Sequence, residues 1–244
     1  MTGPAGARAT GLLFREDAYL RTCRARVISA GPAGIVLDAT VFYPRGGGQP
    51  GDTGRLESGD GTVTVVADAV HGEGGLVVHV PAAGTPLPAP GAEVTAGIDW
   101  PRRYAHMRMH TCLHLLGSVL RYPVTGGNVD ALRSRLDFDM PESPDRDSVT
   151  AELNALIARD LAVGSYWVTE EVLDARPELV RTLSVSPPRG AGRIRLVEVP
   201  GVDLQPCGGT HVRRTGEIGK VQVSRIDKKG RLNRRVYLEF APES

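Results

Sequence analysis

Aromatic residues are scarce, at 5% of 244 positions, and there are only three cysteines, Cys23, Cys112 and Cys207. No apolar run approaches the roughly 18 residues that a membrane-spanning helix needs, so no membrane partner is expected. Three thiols cannot form a disulfide framework without a remainder. A reducing cytoplasm is the natural setting, and there a thiol near histidines acts as a metal ligand. The opening stretch, MTGPAGARATGLLFREDAYL, lacks the apolar segment of a secretory signal, so a cytoplasmic chain is expected. No internal repeat is present, and the net charge is only +1 at pH 7.

That near-neutrality conceals an asymmetry. Between 181 and 235 there are thirteen Lys and Arg against Glu198, Asp203, Glu217 and Asp227, so the rest of the chain is net acidic. A basic final third is the footprint of a polyanion such as nucleic acid, although a solvated face with ordinary salt bridges has the same composition. The run RIDKKGRLNRR, 225–235, sets several of these charges near a hairpin turn.

What the chain does have is apolar content (41%), enough for a core, and punctuation: 30 glycines and 18 prolines. Residues 20–98 read as short strands between turns such as GPAG and HGEGG. A small barrel-like β domain over 1–98 is expected, followed by a second domain over 99–244. In the second, helical spacing runs from Arg103 to about Val119 and a further helix fits 148–163. A short helix starts after Thr169, and strands return after Ile194. The fold class expected is α+β.

HTCLH at 110–114 places two histidines one helical turn apart, about 6 Å from each other on one face. CGGTH at 207–211 offers Cys207 and His211, with Gly208 and Gly209 read as the residues that let the backbone turn tightly. Three nitrogens and one thiolate suit Zn2+. His106 is read as a surface or substrate-facing residue, Cys112 as packed core and Cys23 as structural. His71 and His79, flanking a hairpin turn, are read as exposed. A second constellation is TVFYPRGGGQPGDTG, 40–54. The amides of a loop containing Gly47 and Gly48 suit a carbonyl or phosphate oxygen, and Thr40 and Gln49 supply a hydroxyl and an amide for reading a small polar amino acid.

HTCLHLL, SRLDFD (134–139), CGGTHVRRTGEIG and TVFYPRGGGQPGDTG together resemble the editing domain of alanyl-tRNA synthetase. They are more similar still to its free-standing relatives, the AlaX-type alanyl-tRNA editing proteins. The resemblance implies a small N-terminal barrel-like domain and an α+β domain of the threonyl/alanyl-tRNA synthetase second additional domain type. It also implies trans-editing, the hydrolysis of serine, and with it glycine, from the acceptor end of tRNA(Ala). By position, His110, His114, Cys207 and His211 would be the zinc ligands. Thr40 would sense the serine hydroxyl beside Gln49, with loop amides at 46–49 facing the oxyanion. Cys112 stands where a small residue is usual, which changes packing and not ligand count.

A synthetic site rejects serine in favour of alanine only by roughly a hundredfold, so a second hydrolytic site is the usual remedy. Arg213, Arg214, Lys228, Lys229, Arg234 and Arg235 are expected to meet acceptor-stem phosphates, by charge and by nearness in sequence to CGGTH. Three protein ligands would leave a zinc position open for water and four would close it; the sequence offers four candidates and does not choose. Two other readings stay open: a deacylase of shifted specificity, such as one acting on seryl-tRNA for threonine, and a noncatalytic zinc-containing RNA-binding module.

Overall fold

The computed structural model describes residues 9–180 and 192–242. The chain forms two compact units, Met1–Tyr104 and Ala105–Ser244. The first contains β1 (Gly11–Leu12), β2 (Thr22–Gly31), β3 (Gly34–Leu37), β4 (Ala39–Thr40), β5 (Gly54–Ser58), β6 (Val63–His71), β7 (Val77–Pro81) and β8 (Glu93–Ile98). Six of these close a barrel in the order β2-β3-β7-β6-β5-β8, while β1 and β4 pair in parallel. Closure leaves no unpaired sheet edge in the barrel. Alternation fills it: Ala25 and Val27 from β2, Ile35 and Leu37 from β3, and Val77 from β7 are buried, and a register shift between Val66 and Asp68 brings both Val66 and Ala69 of β6 inside.

The same alternation corrects the reading of His79. It shares the inward parity of Val77 and is 0% exposed. Its Nδ1 donates to the Ile35 carbonyl at 3.0 Å, and its ring stands edge-on to Phe42 with centroids 5.0 Å apart. Burial pushes its pKa down to about 4, so the ring is neutral. His71 is exposed, and Cys23 packs against the barrel core.

A buried ion pair anchors the segment that carries the glycines. The Arg103 guanidinium, 0% exposed, donates to both carboxylate oxygens of Asp52 and to the carbonyls of Ala18 (3.0 Å) and Val41 (2.7 Å). Asp52 also accepts the Tyr43 amide at 2.6 Å, so both ends of the Tyr43–Asp52 loop are pinned to one charged pair.

Helix α1 (Trp100–Leu120) is longer at both ends than its periodicity predicts. Asp99 accepts the Arg102 amide as an N-cap, and Pro101 sits in the first turn, where its missing N–H is harmless. Arg121, at φ 56, takes the left-handed conformation that stops the helix.

The second unit adds β9 (Val124–Asn128), β10 (Arg133–Asp139), α2 (Arg146–Ala158), β11 (Gly164–Val168), α3 (Glu170–Asp174), β12 (Ile194–Val199), β13 (Asp203–Pro206), β14 (Val221–Lys228) and β15 (Asn233–Phe240). One antiparallel sheet runs β14-β15-β10-β9 and another β11-β12-β13. Helix α2 starts two residues before the expected position because Asp145 caps it, accepting the Ser148 amide at 2.8 Å. It stops at Ala158, well short of 163, before Asp160 at φ 48. Asn154 ties α2 to β14 by donating to the Val221 carbonyl (2.8 Å) and accepting the Val221 amide (3.1 Å). Within this unit, Met107, Met109, Cys112, Leu113, Leu115 and Leu116 of α1 are all buried, so the helix is enclosed around its circumference. Among the described residues, no helix is long and apolar enough to cross a membrane.

Candidate functional site

Two groups of predicted residues form, one in each unit. In the second unit, α1 presents His110 and His114 one turn apart, and the segment after β13 presents Cys207 and His211. Their ligand atoms all lie within 4.8 Å of one another. Cys207 Sγ is 3.5 Å from His110 Nε2 and 3.3 Å from His211 Nε2. Bond lengths of about 2.3 Å to sulfur and 2.0–2.1 Å to nitrogen put a thiolate and an imidazole about 3.6 Å apart around a tetrahedral zinc. The donor types and their spacing therefore fit zinc.

The glycines of CGGTH do not act as the sequence reading supposed. Gly208 and Gly209 are absent from the positive-φ residues, and a Cβ on Gly208 would meet open space. The turn is held instead by Arg195 of β12. Its guanidinium donates to the carbonyls of Cys207 and Gly209, both at 3.0 Å, and its own carbonyl accepts the Cys207 amide at 3.0 Å. The Gly209 amide donates to Cys207 Sγ at 3.4 Å.

Around these four residues lie others that sequence reasoning missed. His114 Nδ1 is 3.0 Å from the Asp203 carboxylate, which also accepts Gln205 Nε2 at 2.9 Å. His211 Nδ1 is 3.1 Å from Thr111 Oγ1. The group is electrostatically coupled. Burial opposes charge on His114, but the Asp203 and Cys207 hydrogen bonds outweigh it and raise its pKa to about 10. Burial, together with its imidazole neighbours, lowers that of His211 to about 3. Burial works against the Cys207 thiolate, yet His110 and His211 hold the thiol well below its ordinary range. His106, expected at the surface or facing substrate, is not at the surface: it is 2% exposed, one turn before His110 on a helix buried on all sides.

In the first unit, Thr40 and Gln49 are buried, at 0% and 1% exposure. Gly46 and Gln49 exchange backbone hydrogen bonds of 3.1 and 2.9 Å around Gly47 and Gly48, whose φ of 56 and 80 suit the mirror-image turn. The amides of Gly46 and Gln49 are thus committed to the turn, and an oxyanion-facing amide in this loop belongs to Gly47 or Gly48, which are exposed. Gly51 runs so close to Ala69 and Asp68 that any side chain there would collide. Thr40 Oγ1 accepts the Phe42 amide at 3.0 Å and lies 2.8 Å from His79 Nε2. Because His79 Nδ1 spends its proton on the Ile35 carbonyl, the neutral Nε2 accepts and Thr40 donates.

The basic residues divide. Arg213, Arg214, Lys228 and Lys229 are exposed, Arg214 pairing with Asp160 at 2.7 Å and Lys229 with Asp227 at 3.6 Å. Arg235 is engaged by Asp137 at 2.7 and 2.9 Å. Arg234 is a correction: it is 4% exposed and donates to the carbonyls of Pro141 and Gly230, because its parity on β15 is that of buried Val236 and Leu238. It is an internal clasp and not a phosphate contact. Of the charges counted over 181–235, Arg181 and Arg189 lie outside the described residues.

Family comparison agrees with this architecture. The threonyl and alanyl tRNA synthetase second additional domain matches residues 194–237, and the class II (A) tRNA synthetases match residues 18–102. The chain is 31% identical over 234 residues to the alanyl-tRNA editing protein AlaX-M of Saccharolobus solfataricus, covering 94% of this chain and 98% of that protein. It is 35% identical over 244 residues to AlaX-M of Methanosarcina acetivorans, covering 93% and 98%. The alanine–tRNA ligase of Pyrobaculum calidifontis is 36% identical over 230 residues, covering 88% of this chain but 25% of the ligase. These matches define a relative of the synthetase editing modules. The chain belongs to the alanyl-tRNA editing protein family.

Proposed function

We propose that this chain deacylates mischarged tRNA(Ala), hydrolysing the ester that links serine, and secondarily glycine, to the terminal ribose in the cytoplasm. The observation that carries the reading is the convergence of His110, His114, Cys207 and His211 from segments 97 residues apart into a group spaced for zinc, in a chain of this family. Water adds to the ester carbonyl carbon, the bond to the ribose oxygen breaks, and that oxygen leaves with a proton as the free hydroxyl. A bound Zn2+ would supply positive charge for polarising or orienting the reacting groups.

Specificity falls to Thr40. Its proton goes to His79 and one lone pair to the Phe42 amide, so its oxygen keeps one lone pair to accept a hydrogen bond. A serine hydroxyl can give that bond; alanine and glycine cannot. Thr40 is enclosed in this conformation, so contact with a substrate side chain requires the surrounding wall to open. Enclosure also sharpens the discrimination, because an unpaired buried group has no water to compensate it. The amides of Gly47 and Gly48 are assigned to the oxyanion, with Gln49 beside them. The exposed Arg213, Arg214, Lys228 and Lys229 are assigned to acceptor-stem phosphates.

The test is deacylation of Ser-, Gly- and Ala-charged tRNA(Ala) with zinc content measured on the same samples. Ser-tRNA(Ala) is hydrolysed fastest and Ala-tRNA(Ala) is spared, while Cys207→Ala loses metal and turnover together. Full activity in a zinc-free variant removes the metal from the mechanism. Absence of turnover in zinc-loaded wild type leaves the four-ligand group as a structural site, the pattern of a noncatalytic RNA-binding module.

A further inference from the structure

The polarity of the hydrogen bonds behind the four ligands is determined by chemistry. Thr111 Oγ1 donates to the Met107 carbonyl at 3.0 Å and accepts the Val212 amide at 3.3 Å. A hydroxyl has one proton, so its 3.1 Å contact with His211 Nδ1 is one in which the imidazole donates. The Asp203 carboxylate is an acceptor, so His114 Nδ1 donates to it likewise. Both rings thereby commit Nδ1 to an acceptor, which leaves Nε2 as the nitrogen that would meet a metal ion. Thr111 is supplied by the ligand helix itself, between His110 and His114. Asp203 comes from the first residue of β13, four positions before Cys207.

Charge is the second consideration. A divalent ion held by one thiolate and three neutral imidazoles leaves a buried site with one excess positive charge. Asp203 is 4% exposed and directly behind a ligand, and its carboxylate offsets that excess. Uncompensated charge in such surroundings is strongly disfavoured, so the carboxylate favours the loaded state over the empty one.

We propose that Asp203 is the positioning and charge-balancing residue of the metal centre, acting on the ion through His114, with Thr111 playing the orienting part alone for His211. This rests on the reading that the four residues hold zinc. Outer partners of this kind change metal affinity by about 10–100-fold in general, and Asp203 has both the hydrogen bond and the charge to do so.

The experiment is competition for zinc between the full-length protein and a chromophoric chelator, for wild type, Asp203→Ala and Asp203→Asn, with circular dichroism to establish folding. Wild type that takes up no zinc overturns the zinc reading itself. With zinc-binding wild type, the expected result is an affinity about 10–100-fold weaker in Asp203→Ala. Asp203→Asn keeps an oxygen that accepts from His114 but loses the charge, and is expected to fall between the two. A residue of merely structural importance would leave the isosteric Asn variant at wild-type affinity. Folded Asp203→Ala within threefold of wild type overturns the proposal. Where Asp203→Ala does not fold, Asp203→Asn decides: more than threefold weaker supports charge balancing, and threefold or less overturns it.

Discussion

The neutral, buried His79 makes acid stability a direct probe of the first unit. Its pKa is depressed by burial from 6.5 to about 4, so the unfolded chain binds a proton across that window and the native state does not. The stability contribution is therefore whole above pH 6.5 and is lost as pH falls toward 4. Two and a half pH units correspond to about 3 kcal/mol in total, of which about 2 kcal/mol is lost between pH 7.5 and pH 5. Other groups titrate there too, so the quantity to measure is a difference. Urea unfolding of wild type and His79→Asn at pH 5 and pH 7.5, at fixed metal content, isolates it. Asparagine retains an amide that can donate to the Ile35 carbonyl but carries no titrating group. The variant is less stable at pH 7.5, having lost ring packing against Phe42, yet its stability changes between the two pH values by about 2 kcal/mol less than that of wild type. Equal pH responses would refute the argument that this ring is held neutral by the barrel.

Thr40→Val removes the lone pair assigned to serine. It is expected to lower hydrolysis of Ser-tRNA(Ala) by about tenfold, the worth of one neutral hydrogen bond, and to leave Gly-tRNA(Ala) within about twofold; an equal fall on both substrates would show a folding effect instead. Asp52→Asn leaves the Arg103 charge uncompensated in the barrel unit. It should cost about 3–5 kcal/mol by denaturant unfolding, and a loss under about 1 kcal/mol would show that the clasp is dispensable. Lys228→Ala with Lys229→Ala should weaken tRNA binding about equally for every tRNA sequence and reduce the slope of log affinity against log salt by about two; an unchanged slope removes these lysines from the interface. Arg234→Ala, by contrast, is expected to lower thermal stability while leaving that slope unchanged, since its guanidinium is spent on internal carbonyls.

The four-residue cluster was legible because its chemistry is sparse: three cysteines and six histidines occur in the whole chain, and five of these nine residues stand in two short motifs. The barrel was legible as short alternating strands between turns, and α1 as one continuous period. Thr111 and Asp203 were not, because each meets its histidine across 100 or 89 residues of chain and only folding shows which polar side chain lies behind which ligand. His79 and Arg234 are a different case, and their misreadings have a common cause. His79 was judged by its polarity and its nearness to a turn and Arg234 by its charge and its nearness in sequence to CGGTH, yet each sits at an inward position of a strand: His79 in step with Val77, Arg234 in step with Val236 and Leu238. A period-two pattern that stays apolar except for one polar residue has only two physical outcomes. Either the strand turns its face to water, exposing the flanking valines and leucines, or the polar group goes inside and must find partners there. The apolar neighbours outweigh one side chain, so the second outcome wins, and the partners are the Ile35 carbonyl and Thr40 in one case and the Pro141 and Gly230 carbonyls in the other. The two differ in what they bond: Arg234 closes on backbone carbonyls alone, whereas His79 takes the proton of Thr40, the side chain proposed to read serine.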